Sequence, residues 1–236
     1  MKPPATVARI FDALDRHHPD ADTELAYSTP FELLVATMLS AQSTDALVNT
    51  VTPALFRWFP DARTMAAADS AELEALIHAT GFFRQKAKAL IGMAGLLIER
   101  HGGGVPASMD ALTALPGVGR KTANVVLGHA LSVPGLPVDR HVLRVAQRIG
   151  LVDSADPVKV ESALCAILPP NRWTRASDTL ILHGRRICKP TPLCSACHVQ
   201  PDCDHAAGAA APKRSATSAG ASRKVPAKAA KKRTRR

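Results

Sequence analysis

Residues Leu115 to Leu127 read LPGVGRKTANVVL, and this stretch restricts the fold more than any other. Pro116 fixes its own φ, while Gly117 and Gly119 allow positive φ and carry no side chain. Apolar residues at helical spacing follow: Ala123, Val126, Leu127 and Ala130. The pattern predicts a tight hairpin running into the N-terminus of a helix. Backbone N–H groups at such a turn point outward with nothing bulky in front of them, and helix starts of this kind bind phosphate. Arg120 and Lys121 add positive charge at the same spot. The plainer alternative is an ordinary helix–turn–helix corner, with glycine present only for the turn.

Two further features favour chemistry. Lys121 falls at the helix start, where the helix dipole and Arg120 both disfavour a second cation. Asp139 follows in PGLPVDRHVLRV, after a second Gly/Pro-rich loop and again at the start of a helical run. A lysine able to lose its proton and a carboxylate at a second helix start are the equipment of amine nucleophilic catalysis.

Aromatics make up only 4% of the chain and Ala is abundant, which favours helices over sheet. The N-terminal MKPPATVARIFDAL has no continuous apolar core of a signal peptide, and no run is long enough to span a bilayer. A cytoplasmic protein without a membrane partner is expected. The net charge of +10 is concentrated at one end. Ten of the 30 Lys and Arg residues, and none of the 20 acids, follow Asp204. The body is therefore formally neutral, and any nucleic-acid affinity it has depends on how its charges are arranged. Arg120, Lys121, Arg140, Arg144, Arg148, Arg185 and Arg186 lie on or near the motif stretches; solvated helix faces are the bland reading of the same set.

About ten helices and no confident strand are expected, so the fold class is all-α. Val7 to His17 is an amphipathic helix. Thr29-Pro30 opens a helix too apolar all round for a surface element, and it is read as the central buried one. SAQSTD (Ser40 to Asp45) ends it, with Ser43 or Thr44 capping the next helix to Trp58. A helix capped by Asp69 or Ser70 runs through Ala79; Gly81-Phe82-Phe83 follows, then a helix from about Lys86 to Arg100. Ser108 caps the first helix of the hairpin motif, Asp139 to Ile149 is stopped by Gly150, and Asp156-Pro157 begins another. Ala176 to Ile187 is the last helix, and from Ala206 the Ala, Lys, Arg, Ser and Pro composition predicts disorder and sequence-independent attraction to nucleic acid, or a solubilising appendage.

Cys188, Cys194, Cys197 and Cys203 are spaced C-x5-C-x2-C-x5-C. Four thiols on one short loop indicate a metal site in a cytosolic protein. One close pair flanked by two wider arms suits a [4Fe–4S] cluster better than the paired C-x2-C pattern of structural zinc. His198 is a conceivable substitute ligand. Cys165 lies near an apolar helix face and is read as a buried thiol outside this set.

The hairpin with Lys121 after GVGR, the later loop ending in Asp139 and the four cysteines together resemble the endonuclease III family of the helix–hairpin–helix DNA glycosylase superfamily. The resemblance runs from about Val7 to Asp204. It implies two helical lobes: a six-helix barrel with the helix–hairpin–helix over 22–132, and an iron–sulfur lobe built from 1–21 and 133–204, with 205–236 as a basic tail. Lys121 and Asp139 would face each other across the cleft between them.

The same resemblance implies base excision with strand incision on double-stranded DNA carrying oxidised pyrimidines or abasic sites, by a monomer in the bacterial cytoplasm. Lys121 would form a Schiff base, and Asp139 would stabilise the cationic sugar. Gln42 would enter the space left by the extruded nucleotide, although a loop or capping amide is its plain reading. Phe82 stands where relatives carry an aliphatic wedge; alternatively both Phe82 and Phe83 are core. Gly117, Gly119, Arg120, Arg140, His141 and Arg144 would contact DNA. Arg140 replaces a small polar residue, and the first cysteine arm is one residue shorter than in relatives. Two rivals remain: a monofunctional adenine glycosylase of the superfamily, which lacks the lysine, and a non-catalytic hairpin module with zinc in the cysteine loop.

Overall fold

A computed structural model describes residues 2–210, with side chains described through 208. Among them there are twelve α-helices and no strand. The chain runs α1 (Pro4–His17), α2 (Pro30–Leu39), α3 (Asp45–Trp58), α4 (Ala62–Ala66), α5 (Ser70–Ile77), α6 (Phe83–His101), α7 (Met109–Thr113), α8 (Arg120–Ala130), α9 (Arg140–Ile149), α10 (Pro157–Ile167), α11 (Trp173–Arg186) and α12 (Asp204–Ala210).

Most starts follow from local chemistry. Thr29 accepts from the Glu32 N–H, Thr44 from Leu47, and Asp69 from Ala71 and Glu72; each fills a donor that the first helical turn leaves open. Asp61 and Thr64 bond each other's backbone in a reciprocal box. α2 is the expected central helix, with Phe31, Leu33, Leu34, Val35, Ala36, Met38 and Leu39 all buried.

The apolar side chains separate into two clusters. One joins α2 to α8 around Leu34, Leu39, Leu55, Leu90 and Val126. The other joins α1 to α9, α10 and α11 around Phe11, Leu14, Val145, Ile149 and Leu180. The two lobes are thus crossed twice by the chain, through the segment between α1 and α2 and through the loop between α8 and α9.

Several boundaries differ from the sequence reading. α6 begins at Phe83 rather than near Lys86, because left-handed Phe82 sits directly before it and its carbonyl accepts from the Lys86 N–H at 3.0 Å. α11 begins at Trp173, three residues before the expected Ala176, on a single 3-10 turn over Pro170–Arg172. Nor is it the last helix. α12 packs on α9 with Ala206 buried, so Ala206–Ala210 are helical and not a loose tail. The basic stretch beyond lies outside the described residues.

Candidate active site and cysteine loop

The hairpin is built as its glycines suggested, with one difference. Gly117 has φ +75°, and a Cβ there would meet Ala89 Cβ at 2.9 Å and Met38 Cε at 3.0 Å. Glycine is needed at that position both for conformation and for space. Gly119 instead adopts an extended φ of −91° that any residue tolerates, as the N-cap of α8. Nothing lies within 4 Å of the place its Cβ would occupy. No side chain caps α8, so the N–H groups of its first turn face open space.

Lys121 on that first turn and Asp139, the N-cap of α9, line one cleft of about 740 Å³ between the lobes. Lys121 is exposed and makes no ion pair or side-chain hydrogen bond among the described residues. Asp139 is half-buried, and its two oxygens differ. Oδ1 accepts from the His141 and Val142 N–H groups at 2.7 and 2.9 Å, whereas Oδ2 has no hydrogen-bond partner among the described residues. Capping α9 therefore leaves this aspartate one oxygen for chemistry.

Gln42 lines the same cleft and also a second groove that it shares with Phe82 and Gly117. Gln42 has φ +57° and Phe82 φ +49°, both left-handed, a conformation that costs a non-glycine residue on the order of 1–3 kcal/mol. Phe82 is 58% exposed, so it is not core, whereas Phe83 is half-buried against the first cluster. Beneath both loops lies Lys86, buried, with Nζ donating to the carbonyls of Leu39 at 2.7 Å and Thr80 at 2.8 Å.

The cations expected at the DNA face are only partly free. Arg140 is exposed and lines the cleft. Arg120 forms a bidentate pair with Glu161 on α10 at 2.7 and 2.8 Å, so its charge is compensated by that carboxylate. Arg144 turns away from the cleft and donates to the carbonyls of Cys188 and Gly184 and to His141 Nδ1 at 3.1 Å. Burial, with Arg144 and Arg140 nearby, holds His141 below the ordinary histidine range. Arg185 pairs with Glu24 and Asp45, and Arg186 with Asp20, so neither offers an unpaired charge to a phosphate.

The four cysteines line one shared cavity as free thiols. Arg148 reaches them from α9, donating to Lys189 O at 2.6 Å and Pro190 O at 2.9 Å, with its guanidinium 3.6 Å from Cys188 Sγ. His183 Nε2 lies 3.5 Å from Cys197 Sγ, and its Nδ1 lies 3.1 Å from His18 Nε2. Burial pushes both histidines down to about 4, so each ring is neutral at pH 7. His18 Nδ1 is buried without a partner among the described residues, which fits the bare nitrogen of a ring whose Nε2–H donates to His183. The His183 Nε2–H then points at the Cys197 sulfur. His198 is exposed and stacks on His17 at 3.9 Å, outside the cavity. Cys165 is absent from the cavity too, its thiol pushed up to about 11 by burial, as a structural cysteine should be.

Residues 35–170 match the family described as HhH-GPD superfamily base excision DNA repair protein. Endonuclease III of Synechocystis sp. is 48% identical over 195 residues, covering 82% of this chain and 89% of the relative. This chain belongs to the endonuclease III family. The enzyme of Escherichia coli is 40% identical over 200 residues, covering 83% of this chain and 93% of its own length. A solved structure of a trapped endonuclease III–DNA covalent intermediate superposes with a TM-score of 0.82 at 39% identity, over 89% of this chain and 99% of that one.

In this endonuclease III family member, several cleft residues leave no mark of their role in the sequence. Asp22, His129 and Asp178 meet at its foot, and Ser40 and Asp45 line its wall. His129 stands on the turn of α8 next to Val125 and Val126, where a lone histidine carries no signal of its own. The partners of Arg120 and Lys86 were equally hidden, since Glu161, Leu39 and Thr80 reach them only through packing.

Proposed function

We propose that Lys121 and Asp139 carry the reaction of a bifunctional DNA glycosylase and abasic-site lyase of base excision repair. The substrate is double-stranded DNA with oxidised pyrimidines or abasic sites. The single observation that supports this most is their placement: a free amine and a carboxylate with one free oxygen, each at a helix start, line one cleft between the lobes. The proposed setting is the bacterial cytoplasm. None of the described helices is long and apolar enough to cross a membrane.

Chemistry on a base requires it out of the stack. The open N–H groups of the α8 first turn, beyond Gly117 and Gly119, hold a backbone phosphate, helped by Arg140. Gln42 and Phe82 fill the space the nucleotide leaves; their held, strained loops favour one geometry over adaptation. Lys121 Nζ, as the neutral amine, attacks C1′. The C1′–N bond breaks, and its electron pair leaves with the base, which takes up a proton. Asp139 Oδ2 faces the positive sugar that develops, as carboxylates do in glycosidases, and receives the proton shed by the amine. Ring opening gives a Schiff base between Nζ and C1′. Loss of the C2′ proton into that electron sink expels the 3′ phosphate, and water then frees the lysine. Arg120, Arg144 and His141 act as positioning residues here: Arg120 ties α8 to α10, and Arg144 ties α9 and His141 to the cysteine loop.

The boundaries proposed are 22–132 for the barrel and 1–21 with 133–204 for the other lobe, and they follow the two apolar clusters. Cys188, Cys194, Cys197 and Cys203 are the proposed ligands of a [4Fe–4S] cluster. All four line one cavity, and one close pair flanked by two wider arms suits that cluster. Donors from Arg148 and His183 at two of the sulfurs suit thiolates carrying its charge. Bound, the cluster would stitch the loop together and leave the reaction to Lys121 and Asp139.

Borohydride trapping on an abasic duplex tests the reading. The parent chain gives a covalent complex and Lys121→Ala gives none, with cleavage down by at least about a thousandfold. A parent chain that traps nothing overturns it. A colourless purified protein would overturn the cluster; a yellow-brown one supports it.

A further inference from the structure

His129, Asp178 and Asp22 form a cluster outside the reaction just described. His129 Nε2 lies 3.1 Å from Asp178 Oδ2 and 3.6 Å from Asp22 Oδ1, and the three ligand atoms all lie within 4.8 Å of one another. Donor atoms about 2.1 Å from a common ion sit roughly 3.0–3.5 Å apart, so the separations suit one small cation.

The histidine tautomer supplies the second argument. His129 Nδ1 lies 3.0 Å from the carbonyl of Val125, which can only accept, so Nδ1 carries the hydrogen. In a neutral ring Nε2 is then a bare lone pair, facing two carboxylates that are also acceptors. Three acceptors converging on one point need a proton or a metal cation between them. A histidine that donates its far N–H to a backbone carbonyl is also the usual arrangement of a metal-ligating imidazole.

Orientation and access agree. The His129 side chain is only 6% exposed, while Asp22 is held by the Thr23 N–H, which donates to its Oδ1 at 2.7 Å. The cluster lies between the cleft and a separate pocket of about 490 Å³ beside Pro134 and Asn171, and all three residues line both. An ion could enter from either side and keep water in its remaining positions. Its ligands come from α8, from α11 and from the segment between α1 and α2, that is, from both lobes and one of their crossings.

We propose that Asp22, His129 and Asp178 form a site for a divalent first-row cation that clasps the two lobes at the foot of the cleft. One imidazole and two carboxylates suit zinc or manganese in type.

The test uses the cluster-loaded protein in metal-free buffer at pH 7.5, titrated with Mn²⁺ and followed by the six-line electron paramagnetic resonance signal of the free ion. One Mn²⁺ per chain should leave that signal, and the melting temperature should rise with it. Asp22→Asn, at an exposed position that leaves the fold undisturbed, and Asp178→Asn should each weaken binding at least about tenfold. Circular dichroism confirms that the variants are folded. An undiminished free signal at millimolar Mn²⁺ overturns the proposal and leaves His129 as a protonated bridge between two acids. Equal binding by parent and both variants overturns it as well.

Discussion

At the scale of single residues, the hairpin glycines divide the labour that their shared motif conceals. Gly117 is held to its identity by φ +75° and by Ala89 and Met38, whereas Gly119 is extended and open. Gly117→Ala is expected to cost about 1–3 kcal/mol in a urea melt. Gly119→Ala should leave stability nearly unchanged and weaken duplex binding, because its methyl stands before the open N–H groups of α8. Equal losses of stability in the two would refute this division. Phe82 offers the reverse case: its left-handed backbone is strained while its ring is 58% exposed. Phe82→Gly should raise the melting temperature and lower affinity for an abasic duplex, and a fall in both would show that the ring packs in the native state. Sequence disclosed the turn at Gly117, the helix starts at Lys121 and Asp139 and the clustering of the cysteines, because a tight turn, a helix start and a short cysteine-rich loop each leave a local pattern. It could not disclose that Arg120 is taken by Glu161, 41 positions on, since a charge pair made by packing has no period and no spacing rule.

Among the elements, the junctions matter more than the helices. The caps at Thr29, Thr44, Asp69, Asp139 and Asp156 were legible because capping chemistry is local. The start of α6 was misplaced because Phe82 occupies a conformation that its residue type rarely takes. Lys86 was invisible for another reason: an amphipathic lysine on a helix is ordinarily read as solvated, yet this one is buried and its pKa is lowered by that burial. Its ammonium holds the end of α2, which leads to Gln42, against the 3-10 turn His78–Thr80, which leads to Phe82. Lys86→Met keeps the stem but leaves two carbonyls without a donor. The expected cost is about 1–3 kcal/mol, with a matching loss of abasic-duplex affinity. Unchanged affinity would mean that the two loops are set independently.

Taken as one body, the molecule holds its lobes together with charge as well as apolar packing. Arg185 on α11 reaches Asp45 on α3 and Glu24 in the crossing segment, and His129 on α8 meets Asp178 on α11. Burial opposes a proton on His129, but the Asp178 carboxylate outweighs it and keeps the ring above its ordinary pKa. A raised folded pKa means that the native state binds the proton more tightly than the unfolded chain. That contribution is complete below the unfolded value and lost as pH rises through the folded one. In metal-free buffer the urea midpoint should therefore fall as pH climbs from about 6.5, and His129→Gln should flatten that segment of the curve. The overall all-α architecture was readable from composition and periodicity, but which arginines face outward was not, because that depends on where acids from distant segments arrive. One lobe is contiguous in the chain; the other joins α1 to helices that follow the loop after α8. On a ribosome the contiguous lobe can close while α1 still waits for its neighbours, and the four thiols are translated after every helix from α1 to α11. Loading of the proposed cluster would then follow the shaping of the hairpin.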